Sequence, residues 1–248
     1  MPAAAPSGRA VDTAGAADEA RVAGAAREGA AGAGAGTGAA ATRQGAERVG
    51  RVGSPYRTAV LWRIHAASAL LVVPQVTVAT FALVYLVDDH GWQAGEAGRL
   101  LAATQVGGAL ARLVAGWWSD RIGARLRPMR HVALAIAVAL ALLSAGPDAA
   151  AVAALLAAGI MTVSPNGLAF TAVAERAGGA WAGRAMGVQN TAQSLVGTAT
   201  VPVMATVVGA AGYGVAFAAT IAFPLAAAAV IPVAAERDLS TSTLSPKG

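Results

Sequence analysis

From Leu61 to Val233 the chain is a succession of long apolar runs, each about the length an α-helix needs to cross a hydrocarbon layer of roughly 30 Å. This excludes most soluble architectures, because backbone inside lipid must satisfy its own hydrogen bonds and only helices or closed barrels do so. Composition agrees: at 56% hydrophobic and 12% charged, the sequence lacks the polar surface that a soluble body of 248 residues would need. An all-α membrane protein is expected, with the lipid bilayer as its first partner. Six spans are predicted, over 61–87, 95–119, 131–145, 149–174, 181–209 and 213–233.

The formal charge of +5 does not by itself indicate a nucleic-acid partner, since basic residues between apolar spans set orientation. Sixteen of the eighteen basic residues fall in the N-terminal segment, the connections after the second and fourth spans, and the tail, counting Arg63 and Arg184 at the entries of the first and fifth spans. The positive-inside rule then puts both termini in the cytoplasm, with the spans in the plasma (inner) membrane. Residues 1–57 are rich in Ala, Gly and Arg with almost no large apolar side chains, and are expected to be a disordered cytoplasmic segment. Residues 58–235 form the expected transmembrane domain, and 236–248 a short cytoplasmic tail.

Enzyme readings find little support. Without cysteine there is no thiolate chemistry or cysteine-ligated metal. No HExxH, GxxxxGK or GxSxG occurs, and apart from Glu96 at the outer entry of the second span no carboxylate lies within a span to pair with a base. His65, His90 and His131 flank spans or sit in a connection, where a histidine is usually solvent-facing. No catalytic residue, metal or cofactor is expected.

Polar side chains are costly in a bilayer and turn toward a bundle interior or a water-filled path. They are concentrated in the first, second, fourth and fifth spans, among them Gln75, Gln105, Arg112, Asn166, Asn190 and Gln193, so these helices should surround a polar centre while the third and sixth brace them. Pro74-Gln75 and Pro165-Asn166 occupy corresponding places in two three-helix units. Matched helix breakers point to a transporter binding site, with ordinary packing kinks as the alternative. Gln75, Gln105, Asn166 and Asn190 are the candidate cavity contacts. Arg112, two turns inside the second span, is either a cationic contact for an anionic solute or a side chain that snorkels or binds backbone carbonyls.

After the second span the chain reads Gly116-Trp117-Trp118-Ser119-Asp120-Arg121-Ile122-Gly123-Ala124-Arg125. This resembles the signature loop of the major facilitator superfamily: a Gly, Asp-Arg four residues on, then a Gly and a basic cluster. Gly183 to Asn190 is similar to the Gly-rich start of a matching family helix. The resemblance covers 58–235 and implies helices seven to twelve of a twelve-helix transporter, six transmembrane helices arranged as two three-helix repeats. It also implies a role for the loop as a conformational latch. Gly116 and Gly123 would shape it, Asp120 would lie against the start of the fifth span, and Arg121 and Arg125 would pair with Glu175. Ala124 departs from the pattern, where a further basic residue is common. In relatives that carry organic anions, an arginine at the position of Arg112 is familiar.

The function so implied is transport of a small solute, an organic anion being one candidate, by alternating access as a secondary carrier. The chain would be a fragment or half of that carrier, partnered by a missing N-terminal six-helix half or a second half-size chain. The alternative is a non-transporting assembly or regulatory module of the same fold.

Overall fold

A computed structural model describes residues 53–145 and 148–236. Most of the expected disordered segment, and the tail beyond residue 236, lie outside the described residues. The folded body begins with a 3-10 turn, Pro55–Arg57, whose Ser54 side chain accepts a hydrogen bond from the Tyr56 N–H. Seven helices follow: α1 (Ala59–Asp88), α2 (Ala94–Ile122), α3 (Leu126–Ala145), α4 (Asp148–Met161), α5 (Ser164–Ala177), α6 (Ala182–Thr220) and α7 (Ala222–Val230). A last 3-10 turn covers Val233–Ala235.

Among the described residues, five stretches are long and apolar enough to cross a membrane: α1, α2, α3, Ala150–Ala177 and Ala182–Ala235. The fifth holds 54 residues, which as one straight helix would run to about 80 Å, far beyond a bilayer core. It doubles back at Gly212, whose φ of 83° and ψ of 172° suit a residue without Cβ. The first limb runs alongside α1 in the same direction: Gln189 meets His65, Gln193 meets Ser68, and Gly197 faces Val72 and Val76. The second limb runs the opposite way, from Tyr213 bonded to Asp88, past Phe217 on Tyr85, to Val230, whose carbonyl accepts from Arg63. Gly212 thus sits between the two spans expected over 181–209 and 213–233.

The two prolines behave differently. Pro74 stays inside an unbroken α1, whereas α4 and α5 are separated at Thr162 and Val163, just before Pro165 in the first turn of α5. A proline has no N–H to return to the carbonyl four residues earlier, so the helix is free to end there. The matched pair of interruptions expected from sequence is in fact one kept helix and one break. The third helix starts at Leu126, earlier than the expected 131, and runs through Pro128. Its leading N–H groups, on Leu126 and Arg127, are capped by the carboxylate of Glu236 from the far end of the body.

α1 is the central strut, packed by α2, α4, α5, α6 and α7. α3 packs on α4, α6 and α7, and leaves Leu134, Val138 and Leu142 exposed on its other side. α2 packs on α4 and α5 through small residues. A Cβ on Gly107 would stand 2.9 Å from Ile160 Cδ1, and one on Gly108 2.8 Å from Val163 Cγ2, so both glycines allow the close approach.

Candidate functional site

Three helices bring neutral polar side chains to one place. Gln75 and Ser68 come from α1, Asn166 from the first turn of α5, and Asn190 and Gln193 from α6. The break ahead of Pro165 sets where that first turn lies, and so where Asn166 sits. Its Nδ2 donates to Gln75 Oε1 at 2.9 Å, and its Oδ1 accepts from Gln193 Nε2 at 3.2 Å; Gln193 also donates to Ser68 Oγ. These amides line an open groove of about 380 Å³ that Asn190, Ser194 and Thr198 continue along α6. No lining side chain of this groove carries a charge.

A second cavity, of about 190 Å³, lies between α1, α2 and α4 and is lined by Gln75, Thr104, Gln105, Arg112 and Thr162. Gln75 borders both spaces. Arg112 donates from Nε to the carbonyl of Val163 at 3.0 Å, at the break between α4 and α5. The five expected cavity residues therefore divide: Asn166 and Asn190 on the groove, Gln105 and Arg112 on the second cavity, Gln75 on both.

The loop after α2 closes on itself. Gly123 caps the helix in the left-handed region at φ 62°, where its N–H returns to Asp120 O, and Ser119 Oγ donates to Ala124 O at 2.7 Å. Arg125 draws the loop onto α5. It donates to Ser119 Oγ at 2.9 Å, pairs with Asp120, and meets Glu175 through Nε at 3.1 Å and Nη2 at 3.0 Å. Partial burial works against its charge, but hydrogen bonds and attraction from Asp120 and Glu175 prevail and raise its pKa above the usual arginine value.

Three expectations for this loop change. Arg121 lies over the Trp117 ring at 5.0 Å, so the pairing with Glu175 belongs to Arg125 alone among the described contacts. Asp120 is held by Arg125 within its own loop, where the start of the fifth span was expected. A Cβ on Gly116 would meet nothing within 4 Å, so close packing does not require that glycine in this body. Ala124 is 6% exposed, which explains the departure from the family pattern: a long basic side chain there would have to enter packed interior.

Sequence reasoning missed a second polar chain at the start of α1. His65, expected to face solvent, is 4% exposed, with Nδ1 2.7 Å from Gln189 Oε1 and Nε2 3.1 Å from the Tyr56 hydroxyl. Gln189 is fully buried and its Nε2 has no hydrogen-bond partner among the described residues. Burial raises the Tyr56 pKa above its ordinary value. Position gave no signal of this, because His65 and Gln189 lie 124 residues apart. Gln193 was visible as a polar residue of the fifth span, but its place between Asn166 and Ser68 was not.

Residues 17–202 match the family model described as Major Facilitator Superfamily. This chain belongs to the major facilitator superfamily. It is also similar to two proteins of Mycobacterium tuberculosis: the uncharacterized MFS-type transporter Rv2994 of strain ATCC 25618 / H37Rv, 45% identical over 186 residues, and the uncharacterized MFS-type transporter MT3072 of strain CDC 1551 / Oshkosh, 44% identical over 186 residues. Each alignment covers 73% of this chain and 42% of the relative, so the chain spans less than half the length of the relatives it matches. The superfamily is one of membrane transporters, not of enzymes.

Proposed function

We propose that the chain is one six-helix half, the C-terminal one, of a twelve-helix secondary carrier that moves a small solute by alternating access. Its two limbs on either side of Gly212 count as the fifth and sixth crossings, and the chain pairs with a further six-helix half. The basic connections after α2 and α5 support a cytoplasmic location for both termini. Gln75, Asn166 and Asn190, joined by Gln193, are the solute contacts, with Gln105 and Arg112 bordering the adjoining cavity. Asp120, Arg125 and Glu175 form a cytoplasmic latch that opens when the cavity turns inward.

The observation that carries this reading is the groove of about 380 Å³, where amides from three helices converge on a space open at one face. Amides within apolar stretches that face an open groove suit a water-filled path better than lipid. This chain contains no cysteine, so once any cysteine of the other half is replaced, a single introduced thiol reports one position. Ser194→Cys, on the groove wall, is expected to react with a membrane-impermeant maleimide added from either side of vesicles bearing the complete carrier. Labelling from one side only, at any length of exposure, would contradict alternating access.

A further inference from the structure

The exposed residues of α3 form one stripe: Arg127, Arg130 and His131 near its start, then Leu134, Val138 and Leu142. Spacings of three and four residues stack them on one side of the helix. The stripe changes from basic to apolar within a single turn. At the basic end is a cavity of about 310 Å³ lined by Arg127, Arg130, His131, Leu134 and Val233. Exposures of 40% for Leu134, 59% for Val138 and 54% for Leu142 show that no part of the described body covers the apolar end.

The basic end is more than a helix N-terminus, because Glu236 already occupies the leading N–H groups of α3. The same carboxylate lies 3.8 Å from Arg127 and offsets one guanidinium. Arg130 has no hydrogen bond or ion pair among the described residues, which leaves one positive charge uncompensated beside the cavity. His131 stands beside the Trp118 ring at 6.0 Å, and an exposed tryptophan next to arginines is typical of headgroup depth. From Leu134 to Leu142 the helix rises about 12 Å, close to the roughly 15 Å of one hydrocarbon leaflet.

A soluble anion would use the basic end and leave the apolar stripe idle. A ligand that fits both parts carries a phosphate at one end and a hydrocarbon chain at the other. We propose that this face of α3 binds an anionic phospholipid, its phosphate between Arg127, Arg130 and His131 and one acyl chain along Leu134, Val138 and Leu142. The site rests on the placement of the chain in a membrane and is separate from the solute groove between α1, α5 and α6.

The test is native mass spectrometry of the purified full chain in mild detergent, titrated with phosphatidylglycerol, with phosphatidylcholine of the same acyl chains, or with inorganic phosphate. Phosphatidylglycerol is expected to remain bound where phosphatidylcholine is lost. Arg130→Gln should weaken its retention about five-fold, the effect of one arginine near an anionic headgroup. Leu134→Ser with Val138→Ser should weaken it as well and leave any phosphate adduct unchanged. All three positions are exposed, and an unchanged circular-dichroism melt would confirm that folding is intact. Equal retention of both lipids, or of phosphatidylglycerol by the wild-type chain and Arg130→Gln, would overturn the proposal. So would inorganic phosphate displacing phosphatidylglycerol at similar concentration, which would make this a site for soluble anions.

Discussion

α1 and α2 are neighbours of almost equal length, 30 and 29 residues, and both are long and apolar enough to span a membrane. Their surroundings differ sharply: 56% of the most apolar window of α1 is buried inside the protein, against 17% for α2. α1 is enclosed by five other helices, while α2 touches the body along one edge and presents Val106, Leu110, Leu113 and Trp117 outward at helical spacing. An apolar run therefore states only that a helix avoids water. Whether protein or lipid takes the place of water depends on small residues and polar bonds that fix a particular neighbour. α1 obtains its neighbours through Ser68, Gln75 and His65, and α2 through Gly107, Gly108 and Arg112.

The contrast can be broken most directly in the core of α1. Leu71 is 1% exposed, and Leu71→Ala should cost about 2 kcal/mol in a reversible detergent-unfolding titration, at the low end for a buried leucine because lipid rather than water is the reference solvent. A loss as small as that of an outward α2 residue would remove the distinction between the helices. Next is the seat of α2. Gly108→Val should cost about 1–3 kcal/mol, since the Val163 methyl it would strike belongs to a stiff side chain beside the backbone. If α2 were held mainly by Arg112, this substitution would be silent and Arg112→Gln would carry the loss.

A smaller effect, about 1 kcal/mol, is expected for Gly123→Ala, which places a Cβ in the left-handed region. Unfolding of Gly116→Ala gives the matched control of opposite sign, neutral or stabilising by up to about 1 kcal/mol, because space there is open and alanine is the better helix former. The Arg125–Glu175 pair, with side chains 25% and 45% exposed, should show a coupling below about 1 kcal/mol in a double-mutant cycle. In the complete carrier its removal should alter conformational cycling far more than stability, and equal effects on both would argue against a latch. Leu113→Ala in the isolated chain is also expected to be small, within about 0.5 kcal/mol.

Much of the architecture was legible because bilayer length and helical periodicity act locally. The turn between the last two apolar limbs was placed between residues 209 and 213, and the structure turns at Gly212. The signature loop was readable from Gly123 and Asp120, since a left-handed cap and a charged cluster leave local marks. Less legible was which arginine would reach Glu175: Arg121 and Arg125 are four residues apart, and only the direction of the chain beyond Gly123 sends Arg125 toward α5 while Arg121 lies over Trp117. His65 was misplaced for a related reason, because proximity to a helix end says nothing about the Tyr56 turn that folds over it.

By itself the sequence determined that this chain is helical, apolar and built for a bilayer, and that its polar residues gather on particular spans, because those properties follow from composition and from spacing along single helices. Only the tertiary structure decided that Asn166 bridges Gln75 and Gln193, that Pro165 ends a helix while Pro74 does not, and that Glu236 caps α3 from 110 residues away. Each of these depends on which helices become neighbours, and that choice is made by the packing of side chains distant in sequence, which no local pattern encodes.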